Sequence, residues 1–259
     1  MRFSKVTYIL TLVIYAGLYG FTAVMVPIGI AASYAAPRPL FSFIVKCWAR
    51  GIFVLMGKRL YITGQQRVPR RGFLIVTNHA SLFDIPAIMA VFPDVAWLGR
   101  EYLLQVPLFG HLLKRMNYVG IGKDTTASVR KILRQAVVGT TRFNMAVFPE
   151  GTRTLDGSLG KFKRGFVHIL RAAELDLLPV RLNGMLELKP KNRFTIYPWV
   201  RLEVQIEHPL PFEELKSMKN EEILDKVRTI FQNHLDGRIK SVKSEENNRH
   251  DQWEMGHYH

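Results

Sequence analysis

The stretch with the most chemical content is Asn78-His79-Ala80-Ser81-Leu82-Phe83-Asp84. A histidine and an aspartate five residues apart can form a proton-transfer pair if the chain lets them meet. On one continuous helix they would sit about 140° apart around the axis, too far to face each other. Here an apolar, β-prone run, Phe73-Leu74-Ile75-Val76-Thr77, leads into the heptapeptide, and a helix-like stretch, Ile85 to Val91, follows it. That order puts His79 in the loop after a buried strand and Asp84 in the first turn of a helix, where the two side chains can meet. The carboxylate then accepts the imidazole N–H and fixes the tautomer, leaving the other ring nitrogen as a general base. The same letters also read as capping signals: Ser81 as an N-cap with Asp84 three residues on, or Asp84 capping a helix with Pro86 in its first turn.

A second constellation follows another strand-like run. Met145-Ala146-Val147-Phe148 leads into Pro149-Glu150-Gly151-Thr152-Arg153. In a parallel sheet both segments leave from the C-terminal ends of strands, so this loop can face that of His79. Gly151 lets the backbone approach a ligand closely. Arg153 offers a planar fork suited to a phosphate. Lys161, Lys163 and Arg164 fall at the start of the next helix, whose N–H groups also favour an anion. The bland reading is a turn with a solvated basic rim.

The elements that must position these loops alternate. Strand-like runs at Leu60–Thr63, Phe73–Thr77, Val95–Leu98, Met145–Phe148 and Leu177–Leu182, with one or two more over Phe194–Ile206, are separated by helical stretches. The helical stretches are Ile85–Val91, an interrupted Tyr102–Tyr118, an amphipathic Thr125–Gly139, Phe162–Ala173 and Glu221–Leu235. This alternation predicts an α/β fold with a mostly parallel sheet and helices on both faces.

The chain has 259 residues and a net charge of +15, which suits an anionic partner: nucleic acid, an anionic membrane surface or a phosphorylated substrate. The N-terminus selects among them. No charged residue occurs from Val6 to Pro37, a run longer than the roughly 20 residues that span a bilayer, so it should tilt or break near Pro27 and Gly29. A signal peptide fits poorly, because its apolar region is about half as long. Leu40 to Gly57 adds a second apolar stretch with Lys46 and Arg50 on one side, an interfacial pattern. Basic residues after the first stretch (Arg38, Lys46, Arg50, Lys58, Arg59) outnumber those before it (Arg2, Lys5), which puts the main body on the cytoplasmic face of the membrane if the segment spans. The expected organisation is a membrane-embedded or interfacial helical segment over 1–57, an α/β domain over 58–239 and a charged, disordered tail over 240–259. The single cysteine, Cys47, leaves no disulfide framework and no cysteine-rich metal site.

Taken together, these stretches resemble the glycerophospholipid acyltransferase family, which includes the lysophosphatidic acid acyltransferases. The His-x4-Asp motif of the family is matched by His79 and Asp84, in the Asn-His form. Its Phe-Pro-Glu-Gly-Thr-Arg motif is matched letter for letter at Phe148–Arg153. Between them, Gly99-Arg100-Glu101 through Pro107-Leu108-Phe109-Gly110 matches a stretch with a basic residue, Leu, Pro and Gly. Leu178-Pro179-Val180 matches the later hydrophobic-Pro-Val motif. The order and spacing hold from about Leu60 to Leu182. Arg100 stands where lysine is usual, Gly122-Lys123 where an acidic-arginine pair is usual, and Thr154 where serine is common.

The resemblance implies transfer of a fatty acyl group from acyl-CoA or acyl-carrier protein to a glycerolipid hydroxyl, 1-acyl-sn-glycerol 3-phosphate being the expected acceptor. Another lysolipid, such as a lyso-aminolipid or lysophosphatidylglycerol, is the close alternative, and a non-catalytic module binding anionic lipids is the rival of another class. It implies His79 and Asp84 as the catalytic pair. Arg153, Arg100 and Lys123 would bind the acceptor phosphate, and Glu150, Gly151 and Thr152 would shape the loop. No cofactor, metal or nucleic-acid partner is expected. The partners are the lysolipid, the acyl thioester and the bilayer. A lipid hydrolase with Ser81 as nucleophile is a further rival, without the Gly-x-Ser-x-Gly elbow.

Overall fold

The computed structural model describes residues 5–116, 118–121 and 144–232. Among the described residues seven strands form one sheet: β1 (Leu60–Thr63), β2 (Phe73–Thr77), β3 (Ala96–Arg100), β4 (Val119–Ile121), β5 (Met145–Val147), β6 (Asp176–Asn183) and β7 (Leu202–Ile206). Their order is β1-β7-β6-β2-β5-β3-β4. The five strands β6, β2, β5, β3 and β4 are parallel; β7 pairs antiparallel to β6, and β1 follows β7 in parallel. The sheet is thus mostly parallel, with a reversed pair at one edge.

The central place of β2 follows from its composition. All five residues are buried, as a strand covered on both faces requires. Phe73 and Ile75 point to one face; Leu74 and Val76 point to the other. Ile75 is aligned with Leu178 of β6 on one side and with Ala146 of β5 on the other. Each such fully buried aliphatic side chain contributes about 1.5–3 kcal/mol over its exposed state.

The first face is covered by α2 (Arg38–Leu55) and α3 (Asp84–Met89), through Ala49, Ile52, Phe53, Ala87 and Ile88. The second is covered by α5 (Gly165–Ala172), through Phe166, Val167 and Leu170, and by Ile223, Val227 and Phe231 of a helix over 220–232, here α8. The remaining helices are α1 (Lys5–Ala35), α4 (Phe109–Arg115), α6 (Met185–Leu188) and α7 (Phe212–Leu215). The stretch expected to be an interrupted helix over Tyr102–Tyr118 divides into a 3-10 turn, Glu101–Gln105, and α4. Residues 194–201, expected as a strand, carry no regular structure. The expected helix Thr125–Gly139, Lys123 and the charged tail lie outside the described residues.

Helix α1 runs unbroken through Pro27 for 31 residues, about 46 Å, so of the two expected outcomes, tilt or break, the break does not occur. It is the one helix among the described residues long and apolar enough to cross a membrane. Thr7, Thr11, Ile14 and Leu18 form one buried stripe, while Val6, Ile9, Leu12, Val13, Tyr19, Val24 and Ile28 stay exposed. Both halves of the helix are held on the body. The Thr11 hydroxyl accepts the Ile196 N–H at 3.2 Å, and the Tyr15 hydroxyl donates to the Phe194 carbonyl at 3.1 Å. Near the other end, Gly29 lies against Leu112 of α4, where an added Cβ would be 3.5 Å from that side chain. Helix α2 is fastened to the body by Arg50, whose Nε donates to the Ala90 carbonyl at 3.3 Å.

Candidate active site

The loops after β2 and β5, which are parallel neighbours, leave from the same end of the sheet. Because α3 starts at Asp84, its carboxylate turns back toward the loop rather than around the helix. Asp84 Oδ2 lies 2.7 Å from His79 Nδ1 and also accepts the N–H groups of Ala80 at 2.7 Å and Ser81 at 2.8 Å. One buried oxygen thus gathers three donors, while Oδ1 has no hydrogen-bond partner among the described residues. The Asp84 side chain is 1% exposed and that of His79 15%. The Nδ1–H therefore belongs to the aspartate, and Nε2 is the ring nitrogen left to accept a proton.

The imidazole plane is fixed from the side. The Phe148 ring stacks on it, with centroids 3.7 Å apart and planes 14° from parallel, and Trp97 stacks behind Phe148 at 5.4 Å. The backbone is tied as well. The Asn78 side-chain amide donates to the Leu182 carbonyl and accepts the Leu182 N–H, both at 2.9 Å, so it extends the β2–β6 ladder by one position. The Thr154 N–H donates to the His79 carbonyl at 2.8 Å, joining the two loops.

Glu150 joins them again. Its carboxylate accepts the His79 N–H at 3.2 Å and the Gly160 N–H at 2.9 Å. Burial raises its pKa above the ordinary glutamate value, against the opposing effect of those two donors. Gly151 has φ +68°, the left-handed region, and a Cβ there would come within 2.7 Å of Lys163 Nζ. Thr152 is exposed on the loop. Arg164, expected near the site, pairs instead with Glu221 at 2.8 Å.

Arg153 is partly exposed on this loop and has no described hydrogen bond or ion pair. Sequence reasoning missed its companion, Lys189. The Lys189 pKa is lowered by burial first, then by the charges of Arg153 and Arg193. The Lys189 carbonyl accepts the Ser81 hydroxyl at 2.6 Å, which seats the lysine against the His79 loop. The cluster of positive charge suits a bound anion. Only the preceding hydrophobic-Pro-Val strand could have signalled this lysine, and that motif says nothing of the loop beyond it. Arg100 ends β3 at the same end of the sheet, exposed, beyond β5 from His79. Ser81 is fully buried; its hydroxyl is spent on Lys189 and on the Phe83 N–H at 3.4 Å, and it is not presented as a nucleophile. Among the described residues no group of three or more His, Cys, Asp or Glu could hold a metal ion.

A parallel-centred sheet thus carries a buried His-Asp pair and an arginine-bearing loop at one end. Residues 59–183 match the Acyltransferase family model. The chain is 26% identical over 189 residues to a 1-acyl-sn-glycerol-3-phosphate acyltransferase of Cocos nucifera, covering 72% of this chain and 61% of that protein. It is 27% identical over 167 residues to the protein of the same name from Pseudomonas aeruginosa, covering 62% and 65%. The matched stretch thus spans less than two thirds of either relative. The crystal structure of the LPA acyltransferase PlsC from Thermotoga maritima is similar in fold, with a TM-score of 0.74 at 24% identity, covering 89% of this chain and 95% of that one.

Proposed function

We propose that this protein transfers a fatty acyl group from a thioester, acyl-CoA or acyl-carrier protein, to the free hydroxyl of 1-acyl-sn-glycerol 3-phosphate, giving phosphatidic acid. The observation that carries the reading is the 2.7 Å contact between His79 Nδ1 and the buried Asp84 carboxylate, which leaves Nε2 open. The names of the similar proteins support the choice of acceptor. A lysolipid hydroxyl is a poor nucleophile near neutral pH, so Nε2 takes its proton as the oxygen attacks the thioester carbonyl. The C–S bond then breaks, and His79 returns the proton to the leaving thiolate. The Asp84 charge stabilises the imidazolium between those steps. Arg153 and Lys189 bind the acceptor phosphate, with Arg100 and Lys123 completing the basic set. Glu150, Gly151 and Thr152 shape the loop that holds them.

The same reading makes residues 1–57 the membrane-binding unit and 58–239 the catalytic domain. Contacts at Thr11 and Gly29 hold both halves of α1 on the body. The helix therefore lies along the interface, its exposed apolar face in one leaflet, and does not cross the bilayer. The net charge of +15 favours the anionic cytoplasmic leaflet.

The test is acyl transfer by the purified protein across a panel of lysolipids, with both thioester carriers. Phosphatidic acid should form from 1-acyl-sn-glycerol 3-phosphate well above any other acceptor. Preference for a lysolipid of another head group would overturn the acceptor, and no transfer to any of them would overturn the reaction.

A further inference from the structure

At the active-site end of the sheet, but at its reversed edge, an open groove of about 610 Å³ lies between the end of α2 and the segment before β7. Its walls include Lys58, Arg59, Tyr61, Trp199 and Arg201. Three strand positions separate β1 from β2, about 14 Å, so the groove is not the His79 site.

Its chemistry is that of a phospholipid head-group region. Lys58 and Arg59 have no described side-chain hydrogen bond or ion pair. The Arg201 guanidinium lies 4.3 Å over the Tyr61 ring and bonds Glu203 at 2.7 Å, so it is held in place. Three cations against one carboxylate leave the groove positive. Trp199 is 64% exposed, with Tyr197 at 5.2 Å from it, a costly display of aromatic surface for a face that meets only water.

Both walls continue into the apolar helices. Lys58 and Arg59 are separated by two residues from Val54 and Leu55, which are exposed at the end of α2. The other wall continues from Phe194 to Ile196, the residues that grip α1. A bilayer that receives the exposed faces of α1 and α2 therefore comes up against this groove. Aromatic residues beside basic ones are what the head-group layer favours.

We infer that the groove between the α2 terminus and residues 198–201 binds the head group of an anionic phospholipid, giving the protein a second bilayer contact that turns its active-site end toward the interface. The inference rests on the membrane attachment proposed above.

The experiment uses the full chain in phosphatidylcholine vesicles containing phosphatidylglycerol, with shallow bromine atoms placed on one lipid or on the other. The Trp199 signal is taken as the difference from Trp199→Phe. Quenching should be stronger when phosphatidylglycerol carries the bromine. The fraction of that lipid giving half-quenching should rise about fivefold when Lys58→Ser is made and roughly thirtyfold in Lys58→Ser/Arg59→Ser. Lys219→Ser, on the other face of the sheet, should change nothing. Equal quenching by the two lipids, no quenching at all, or an equal loss in Lys219→Ser would overturn the inference. Loss of the preference on adding soluble glycerol 3-phosphate would overturn it too, since the site would then take a free phosphate. Acyl transfer measured in detergent micelles separates the two readings. If wild type fails to acylate any lysolipid, the proposed reaction falls and the quenching ratio still decides the groove.

Discussion

Replacing Asp84 by asparagine isolates the charge from the geometry. Oδ2 accepts three N–H groups, from His79, Ala80 and Ser81, while Oδ1 faces no partner among the described residues. The amide can therefore keep its oxygen in the Oδ2 position. The reverse orientation would set an NH2 against three donors. The tautomer of His79 is preserved in this arrangement, which differs from the simple expectation that an amide at this place selects the wrong one. What is lost is the attraction between a carboxylate and the imidazolium formed in the reaction. At about 4 Å and an effective dielectric of about 20 this is about 4 kcal/mol, or a loss of about a thousandfold in rate. The new NH2 also becomes a buried donor without a partner, which costs the fold about 1–3 kcal/mol. The assay is kcat/KM for acyl transfer to 1-acyl-sn-glycerol 3-phosphate, with folding followed by circular dichroism and thermal melting. His79→Ala should fall at least as far as Asp84→Asn. A folded Asp84→Asn protein within tenfold of wild type would refute the role given to the carboxylate.

Arg153→Ala should raise KM for the phosphorylated acceptor roughly tenfold to a hundredfold, the range of a charge-assisted contact of about 1.5–3 kcal/mol, with Arg153→Lys between the two and the acyl-donor KM unchanged as the control. Lys189→Met should show the same acceptor-specific rise. Because burial and Arg153 lower the Lys189 pKa, wild-type kcat/KM for the phosphorylated acceptor should decline at an alkaline pH below the ordinary lysine range, and Lys189→Arg should remove that decline. Glu150→Gln should lower the melting temperature, since an amide cannot accept both the His79 and Gly160 N–H groups without opposing a donor to one of them. The sign of its pH dependence follows from the raised folded pKa: the proton-linked stability from Glu150 is full below the unfolded glutamate value and is lost as pH rises through the folded one. The deficit of Glu150→Gln relative to wild type should therefore shrink across that window, and a deficit that widens in thermal melts would contradict the assignment.

Much of this arrangement is written in the sequence as pattern, and what is hidden depends on contacts that pattern does not encode. The five-residue apolar run Phe73–Thr77 announces a strand covered on both faces, and its position fixes where His79 must emerge. The spacing to Asp84 works because the helix begins at Asp84 itself, a boundary the local sequence signals through Pro86. The direction of β7 against β6 is not legible, because alternation of burial is the same for a strand run either way. Residues 194–201 mislead by their aromatic content, which is β-like in composition yet partly turned outward, with Pro198 interrupting any ladder. Pro27 left a tilt or a break open, and α1 passes through it without a break.

Lys189 and Asn78 show how far the site depends on long-range pairing. Lys189 reaches the His79 loop through a bond between its own carbonyl and the Ser81 hydroxyl, 108 residues earlier, which no local signal could reveal. Asn78 stands beside the candidate base and invites a chemical role, yet both ends of its amide are engaged by Leu182. Only a side chain with one donor and one acceptor in peptide-like geometry can do this, so aspartate, isosteric but without the N–H, would lose half the bridge and face the Leu182 carbonyl with a second oxygen. The requirement at this position is therefore register: Asn78 holds the end of β2 against β6, and the histidine that follows inherits its position from that lock.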